Sequence, residues 1–382
     1  MREKIIIFGA GKYGKDAFEK LGEERVVGFI DNNVEKQKSL FCGKPVMSLE
    51  QAISLHCPIL VASKYSVGMI KQLKEYGIED YSVFLNHLHK FYETDELIVN
   101  PYDARKEMRT EMEWNNSDRI QYTRAAVNEE VEGLYQDVPL FEAIEVETVN
   151  RCNGICSFCP VNRNVDPRKY AVMSEELFKD IVDQLAEIRY CGRFSVFSNN
   201  EPLLDDRIVE LNQYARVQLP GAVMHMFTNG TLLTLDKFIL LTDVLDELII
   251  DNYQQDLKLI KPCAEIRDYC KGHPELSKKV TIVLRKPQEI LTSRGGTAPN
   301  RKEVAEYGED RCALPFKQMI VRPDGKVSLC CNDAIGRYTL GDLNKEKLLD
   351  VWYGSRFQKV RECLYEGRKH WGDCRHCDTF SL

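Results

Sequence analysis

Apolar positions along this chain recur with two periods, and the alternation between them outlines the fold. Near the amino terminus the short runs "KIIIFG", "VVGFID", "PILVAS" and "YSVFL" read as strands, and "GKDAFEKL" and "KYSVGMIKQLKEYG" between them read as helices. Strand, glycine turn, helix and strand in that order predict one three-layer βαβ half over residues 1–86. Residues 87–140 are charged and only weakly periodic, which predicts a helical connector. From residue 141 the alternation resumes. "FEAIEVET", "RFSVFS", "AVMHMFT", "ELIID" and "KVTIVL" read as strands, with helices expected near 174–190, 205–218, 234–242 and 254–270. Five strands and four helices over 141–290 predict an α/β fold with a parallel sheet or incomplete (β/α) barrel, whose chemistry belongs at the carboxyl ends of the strands. Residues 291–382 lose the alternation and are rich in Gly, Cys and short polar runs.

Composition narrows the function classes. With 52 Lys plus Arg against 59 Asp plus Glu, the net charge of −7 argues against a nucleic-acid partner, which needs a basic face. The first apolar run is too short for a signal-peptide core, and no run approaches the roughly 18 residues of a membrane span, so a cytoplasmic protein without a membrane partner is expected. In that compartment the 14 cysteines are expected to be metal ligands or buried thiols, not disulfides.

Three of them stand together in "RCNGICSFCP", directly after the first strand of the barrel region: Cys152, Cys156 and Cys159. Composition alone would produce this CxxxCxxC spacing in roughly 2% of such chains, so the triplet carries information that a lone CxxC does not. A structural zinc site wants four closed ligands; three thiolates on a cubane [4Fe-4S] cluster leave one iron open. Three buried thiols or part of a zinc knuckle is the competing reading.

The loop resembles that of the radical SAM superfamily, CxxxCx(aromatic)C, with Phe158 as the aromatic. The resemblance implies S-adenosylmethionine on the open iron and a 5'-deoxyadenosyl radical that abstracts hydrogen from carbon. It also implies roles for residues at later strand ends. "FSNNEPLLD" stands where the family has GGEP, making Glu201 an acceptor for the cofactor ammonium, with Asn199 and Asn200 in the glycine positions. "FTNG" makes Thr228 and Asn229 cofactor-contact candidates, and Arg285 is a candidate partner of the cofactor carboxylate. A surface carboxylate, an Asn-Gly turn and a solvated arginine are the plain alternatives.

The tail supplies Cys312, Cys330, Cys374 and Cys377, around a hairpin expected to turn at Pro323, Asp324 and Gly325. Four thiolates suit zinc or iron-sulfur equally. The spacing resembles the shorter, "twitch" form of the SPASM domain, implying a second [4Fe-4S] cluster that accepts an electron; Cys331 and Cys363 are spare. Together with the barrel, residues 141–382 resemble the 2-deoxy-scyllo-inosamine dehydrogenase type. That implies oxidation of a hydroxyl-bearing carbon in a sugar, aminosugar or cyclitol, a flavodoxin- or ferredoxin-type electron donor, and Arg294 as a substrate or proton-handling residue. An epimerase, a peptide-modifying maturase and a zinc-stabilised nucleotide-sensing protein are the alternatives.

At the amino terminus Gly9, Gly11 and Gly14 form GxGxxG between a strand and a helix, with Asp31 closing the next strand. The turn would offer backbone N–H groups to a phosphate, with Asp31 on a ribose hydroxyl. This region resembles the small amino-terminal domain of nucleotide-sugar acyltransferases, implying a nucleotide or nucleotide-sugar ligand; a docking domain without a ligand is the alternative.

Overall fold

The glycine turn folds as its spacing requires. Strand β1 (Ile5–Phe8) runs into Gly9 at φ +124°, where a Cβ would stand 2.4 Å from the Ala62 carbonyl oxygen. A Cβ on Gly14 would meet the Gly9 oxygen at 1.9 Å, so helix α1 (Lys12–Leu21) packs directly on the turn. The computed structural model describes residues 4–63, 66–84, 91, 92, 94, 96–103, 118–136, 138–301 and 307–380.

The first sheet adds β2 (Val26–Ile30), β3 (Leu40–Phe41), β4 (Lys44–Met47), β5 (Ile59–Val61) and β6 (Tyr81–Val83), in the order β3-β4-β2-β1-β5-β6. All pairs are parallel except β3 with β4. The sequence reading did not count β4 among its strands, because the lone Val-Met pair of "KPVM" is too short a run to signal one. Helices α2 (Leu49–Ile53) and α3 (Ser66–Glu75) complete the layers. Of the connector expected over 87–140, α4 (Asp118–Gln136) is helical and β7 (Ile98–Val99) is a strand, while residues 85–90 and 104–117 lie outside the described residues.

The second sheet is built from β8 (Ala143–Val146), β9 (Arg193–Ser195), β10 (Val223–Thr228), β11 (Glu247–Tyr253) and β12 (Val280–Arg285), all parallel, in chain order. The helices between them are α5 (Glu175–Glu187), α6 (Ile208–Gln218), α7 (Leu235–Val244) and α8 (Lys261–Cys270). α5 shows why: Ser174 accepts from the Leu177 amide at its start, and Phe178, Ile181, Val182 and Leu185 form one buried stripe against the sheet. Each such side chain contributes about 1.5–3 kcal/mol on burial. α8 starts at Lys261, not near 254, because Pro262 fits only the first turn of a helix.

Among the described residues four strands extend the sheet beyond the five expected, one at one edge and three at the other. β7 pairs parallel with β12 at one edge. At the other, β13 (Gln318–Val321) pairs parallel with β8, then turns at Gly325 (φ +79°) into antiparallel β14 (Lys326–Ser328), followed by β15 (Gly341–Asp342). The expected hairpin is thus present, and its first strand is part of the barrel wall. Short α9 (Leu314–Lys317) leads into it, and α10 (Leu348–Trp352) and α11 (Ser355–Glu366) cover it.

Candidate active site

Cys152, Cys156 and Cys159 leave the carboxyl end of β8 in a tight loop. A Cβ on Gly154 would lie 3.2 Å from the Cys152 sulfur and 3.9 Å from that of Cys156, so only glycine leaves the space between them open. Burial pushes both thiols up to about 12, each also raised by the neighbouring cysteines. Thiolates in such a place need a compensating positive centre. Phe158 is buried, its ring 6.1 Å from that of Tyr253.

The structure brings the other barrel candidates to this loop. Glu201 is 1% exposed; its carboxylate accepts from Thr228 Oγ1 at 2.7 Å, the Asn229 amide at 2.8 Å and the Leu203 amide at 3.1 Å. Burial pushes it up to about 7, against the pull of those donors. Asn229 Nδ2 donates to Asn153 inside the cysteine loop at 2.7 Å. Asn200 presents a buried Nδ2 with no partner among the described residues, a donor left open for a ligand, and neither Asn199 nor Asn200 uses left-handed φ. Arg285 is already engaged, at 3.1 Å from Glu289 and beside half-buried Asp251, whose carboxyl desolvation raises to about 6.

The tail cysteines form a second group. Burial drives the Cys330 thiol far up, and Cys331, Cys312, Cys374 and Cys377 add to it; Cys374 is raised in the same way, with Cys312 and Cys377 contributing. Cys312 precedes α9 and β13, and Cys330 follows β14, which returns to the same end of the sheet. The two thiol groups therefore lie at opposite ends of the β8–β13 wall. Among the described residues no three His, Cys, Asp or Glu groups are arranged around a single metal ion; the thiols of a multi-iron cluster sit further apart than such ligands. Cys363 lies within α11.

Sequence reasoning missed Arg368. It is 1% exposed, and its guanidinium donates to the carbonyls of Cys377 (2.8 Å), Thr379 (2.7 Å) and Arg311 (3.2 Å). Its charge lowers the Cys312 and Cys374 thiols against their burial. A buried arginine beside these thiols offsets the negative charge they would carry with iron bound.

It missed Glu145 as well. Its carboxylate accepts from Ser198 Oγ (2.7 Å) and Gln318 Nε2 (2.7 Å), and lies near the Arg294 guanidinium. Glu145 keeps some accessible surface, yet desolvation pushes its carboxyl up to about 7, so it faces an interior space and not bulk water. Arg294 Nη1 donates to Asn199 Oδ1 at 2.7 Å, and Asn199 Nδ2 donates to the Cys331 carbonyl at 3.0 Å. Arg294 sits at φ +46°, costly for a side chain of its size, followed by Gly295 and Gly296 at +60° and +81°. The Cys331 thiol, next in sequence to the cage, also lies beside Glu145 and Arg294.

Gly9, Gly11 and Asp31 are not part of this site. They line a cavity of about 1070 Å³ closed on its far side by Ala126, Glu130 and Gly133 of α4. Glu130 pairs at 2.6 Å with Lys317, directly before β13, which sets the cavity at the end of the wall opposite the Cys152 loop. Asp31 accepts from the Ala10 amide (3.0 Å), the Asn33 amide (2.9 Å) and Lys36 Nζ (3.0 Å), so its oxygens brace the glycine turn.

Residues 146–273 match the family model of the radical SAM superfamily, and residues 312–378 match the iron-sulfur cluster-binding domain called SPASM. The chain is a radical SAM enzyme with a SPASM domain. Its residues 1–84 match a C2185-like amino-terminal domain. The S-adenosyl-L-methionine-dependent 2-deoxy-scyllo-inosamine dehydrogenase of Niallia circulans is 26% identical over 246 residues, spanning 64% of the enzyme and 95% of that relative. The crystal structure of BtrN in complex with AdoMet and 2-DOIA superposes with a TM-score of 0.56 at 25% identity, over 64% of the enzyme and 95% of that chain. BtrN in an open conformation gives 0.49 at 22% identity, over 64% and 94%. The enzyme uses S-adenosylmethionine and iron-sulfur chemistry, and none of its described helices is long and apolar enough to cross a membrane.

Proposed function

We propose that the enzyme dehydrogenates a hydroxyl-bearing carbon of a sugar, aminosugar or cyclitol, in the interior space between its two thiol groups. The observation that carries this is the network of Glu145, Ser198, Gln318, Asn199 and Arg294 facing that space. When bound, a [4Fe-4S] cluster on Cys152, Cys156 and Cys159 with S-adenosylmethionine supplies a hydrogen-abstracting radical, and one on Cys312, Cys330, Cys374 and Cys377 supplies an electron acceptor.

The chain's own groups do the rest. Glu201, Asn200, Thr228 and Asn229 hold the cofactor's polar end, Arg285 offers a cation toward it, and Phe158 walls off water. Arg294 and Asn199 orient the substrate hydroxyl, and Glu145, with a carboxyl near neutrality, takes its proton as the carbinol carbon becomes a ketone carbon. Arg368 holds the second cage shut. The reducing electron comes from a flavodoxin- or ferredoxin-type protein. The cavity at Gly9, Gly11 and Asp31 supports a nucleotide or nucleotide-sugar as a separate ligand, away from the chemistry, with Gly14 letting helix α1 pack on the turn.

Reconstituted enzyme given reductant, S-adenosylmethionine and sugars deuterated at the carbinol carbon should move deuterium into 5'-deoxyadenosine, with one ketone per nucleoside. Ketone without that transfer, or no nucleoside from any such alcohol, overturns the reading. Epimerisation is favoured by one observation, the Cys331 thiol beside Glu145 and Arg294, which could return a hydrogen atom; solvent deuterium at the product carbon distinguishes it. Arg368→Met should leave three carbonyls without their charged donor, at about 1.5–3 kcal/mol for each such bond, and iron should fall from about eight toward about four per chain. Iron analysis and a melting curve check this.

A further inference from the structure

Residues 287–301 bridge the two thiol groups. At one end the Ser157 amide, inside the Cys152 loop, donates to the Pro287 carbonyl at 2.8 Å, and Asn300 Nδ2 donates to Ser157 Oγ at 3.0 Å. At the other end the contacts go to the close of the tail. Asp378, next after Cys377, accepts from the Ser293 amide at 2.8 Å and pairs with Arg301 at 2.6 Å. Ser293 Oγ donates to the His376 carbonyl at 2.6 Å, with Asp378 Oδ1 at 3.0 Å. Ser293 is fully buried, and the side chains of Arg301 and Asp378 are 9% and 5% exposed. Arg301 also donates to the Leu291 carbonyl, so one guanidinium and one carboxylate close the segment on itself.

Arg294 follows Ser293 directly. Its left-handed φ of +46° is unfavourable for a residue with a Cβ and persists only where the surroundings hold it. The amides of Gly296 and Ala298 return to the Ser293 carbonyl at 2.9 and 3.1 Å, so Ser293 anchors the turn. Asp378 in turn anchors Ser293. A carboxylate so far removed from water needs Arg301 and the Ser293 amide, and removing it would leave both without their partner. The Cys377 carbonyl, one residue earlier, is fixed by Arg368 at 2.8 Å.

We propose that Asp378 is a positioning residue that holds Arg294 in place when the tail cysteines are gathered around iron, so that loading of the second cage completes the substrate site. The inference rests on the role proposed above for Arg294 in orienting the substrate hydroxyl. Iron draws Cys374 and Cys377 toward Cys312 and Cys330, and the residue after Cys377 is carried with them. Its carboxylate then meets Ser293 and Arg301, and the turn is held in its left-handed form. Without the metal the carboxylate loses its fixed place and the turn relaxes. An enzyme built this way does not hold an alcohol ready for hydrogen abstraction while its electron acceptor is missing.

The test is trypsin cleavage of the Arg294–Gly295 bond in the full-length enzyme, followed by mass spectrometry, with cleavage after exposed Lys258 as the internal reference. Cleavage within a closed segment follows the population of its open form. Relative to Lys258, iron-loaded wild type should be cut after Arg294 at least about tenfold more slowly than chelated wild type. Iron-loaded Asp378→Ala should be cut at close to the chelated rate. Asp378→Asn and Ser293→Ala each keep the bond from the Ser293 amide and should fall between the two. Ser293→Ala keeps Asp378 and every thiol, so it should retain about eight irons per chain, and it decides the matter if Asp378→Ala loses iron. Variants that hold about eight irons and are cut as slowly as wild type overturn the clasp, and so does a wild type whose cleavage ignores iron. The deuterium experiment proposed above can fail with this cleavage pattern intact; that outcome removes the substrate role of Arg294 and leaves the clasp in place.

Discussion

Cys152→Ala should reduce 5'-deoxyadenosine formation to background while the protein stays folded. Burial raises the Cys152 and Cys156 thiols to about 12, so without iron these two sulfurs are neutral, and their charge enters only with the metal. Two remaining thiols cannot retain a cluster that already leaves one iron without a protein ligand. Iron should fall from about eight to about four per chain, the remainder on the tail cysteines. The tail cysteines lie at the other end of the β8–β13 wall, where Trp352, Phe357, Val360 and Leu364, all at most 2% exposed, pack into the barrel's own core. Cys374→Ala should show the opposite pattern: cleavage of the cofactor persists, and the melting temperature of the enzyme falls. Full iron retention by Cys152→Ala would show that these thiols hold no cluster.

The contrast between these two sites and the residues around them marks what a sequence can show. The triplet is legible because eight residues contain it and a strand precedes it, so local spacing carries the geometry. Glu201 with Thr228 and Asn229 spans 28 residues, but each stands at or shortly past the carboxyl end of a strand, and parallel strands align their ends. β13 was read as half of a separate hairpin because nothing local says that "QMIV" pairs with a strand 175 residues earlier. Arg368 reads as a solvated cation past a helix end. Only the fold brings the carbonyls of residues 311, 377 and 379 around it.

Glu145 is the most instructive case. In "FEAIEVET" it occupies the polar phase of an alternating strand, and alternation ordinarily sends that phase to solvent. In an incomplete barrel the second face of the strand is the lumen, and whether a lumen position is wet or enclosed depends on what closes it. Here the closure comes from Arg294 and from Gln318, 149 and 173 residues away. The same enclosure raises the carboxyl to about 7 and leaves it with two short hydrogen bonds from neutral donors. A structural carboxylate buried for packing would pair with its cation directly; this one stands near Arg294 and opens onto a space.

Glu145→Gln should then separate the two halves of the reaction. Glutamine keeps the size and can still meet Ser198 and Gln318, so cofactor binding and hydrogen abstraction should persist, with deuterium appearing in 5'-deoxyadenosine. What it cannot do is accept the hydroxyl proton. Loss of a positioned base costs about 10²–10⁴-fold, so ketone per 5'-deoxyadenosine should fall by that factor. The pH profile gives a second readout. The base works as carboxylate, so wild-type ketone formation should rise with pH through about 7 and level off above it, and the variant should lose that rise. Stability should move the other way: a carboxyl raised on folding binds more protons in the native state between its unfolded value and about 7, so the wild type loses stability relative to the variant as pH rises across that range. Ketone formation by the variant within about tenfold of wild type, with the same rise, would remove Glu145 from the proton path, because general-base catalysis is worth more than that.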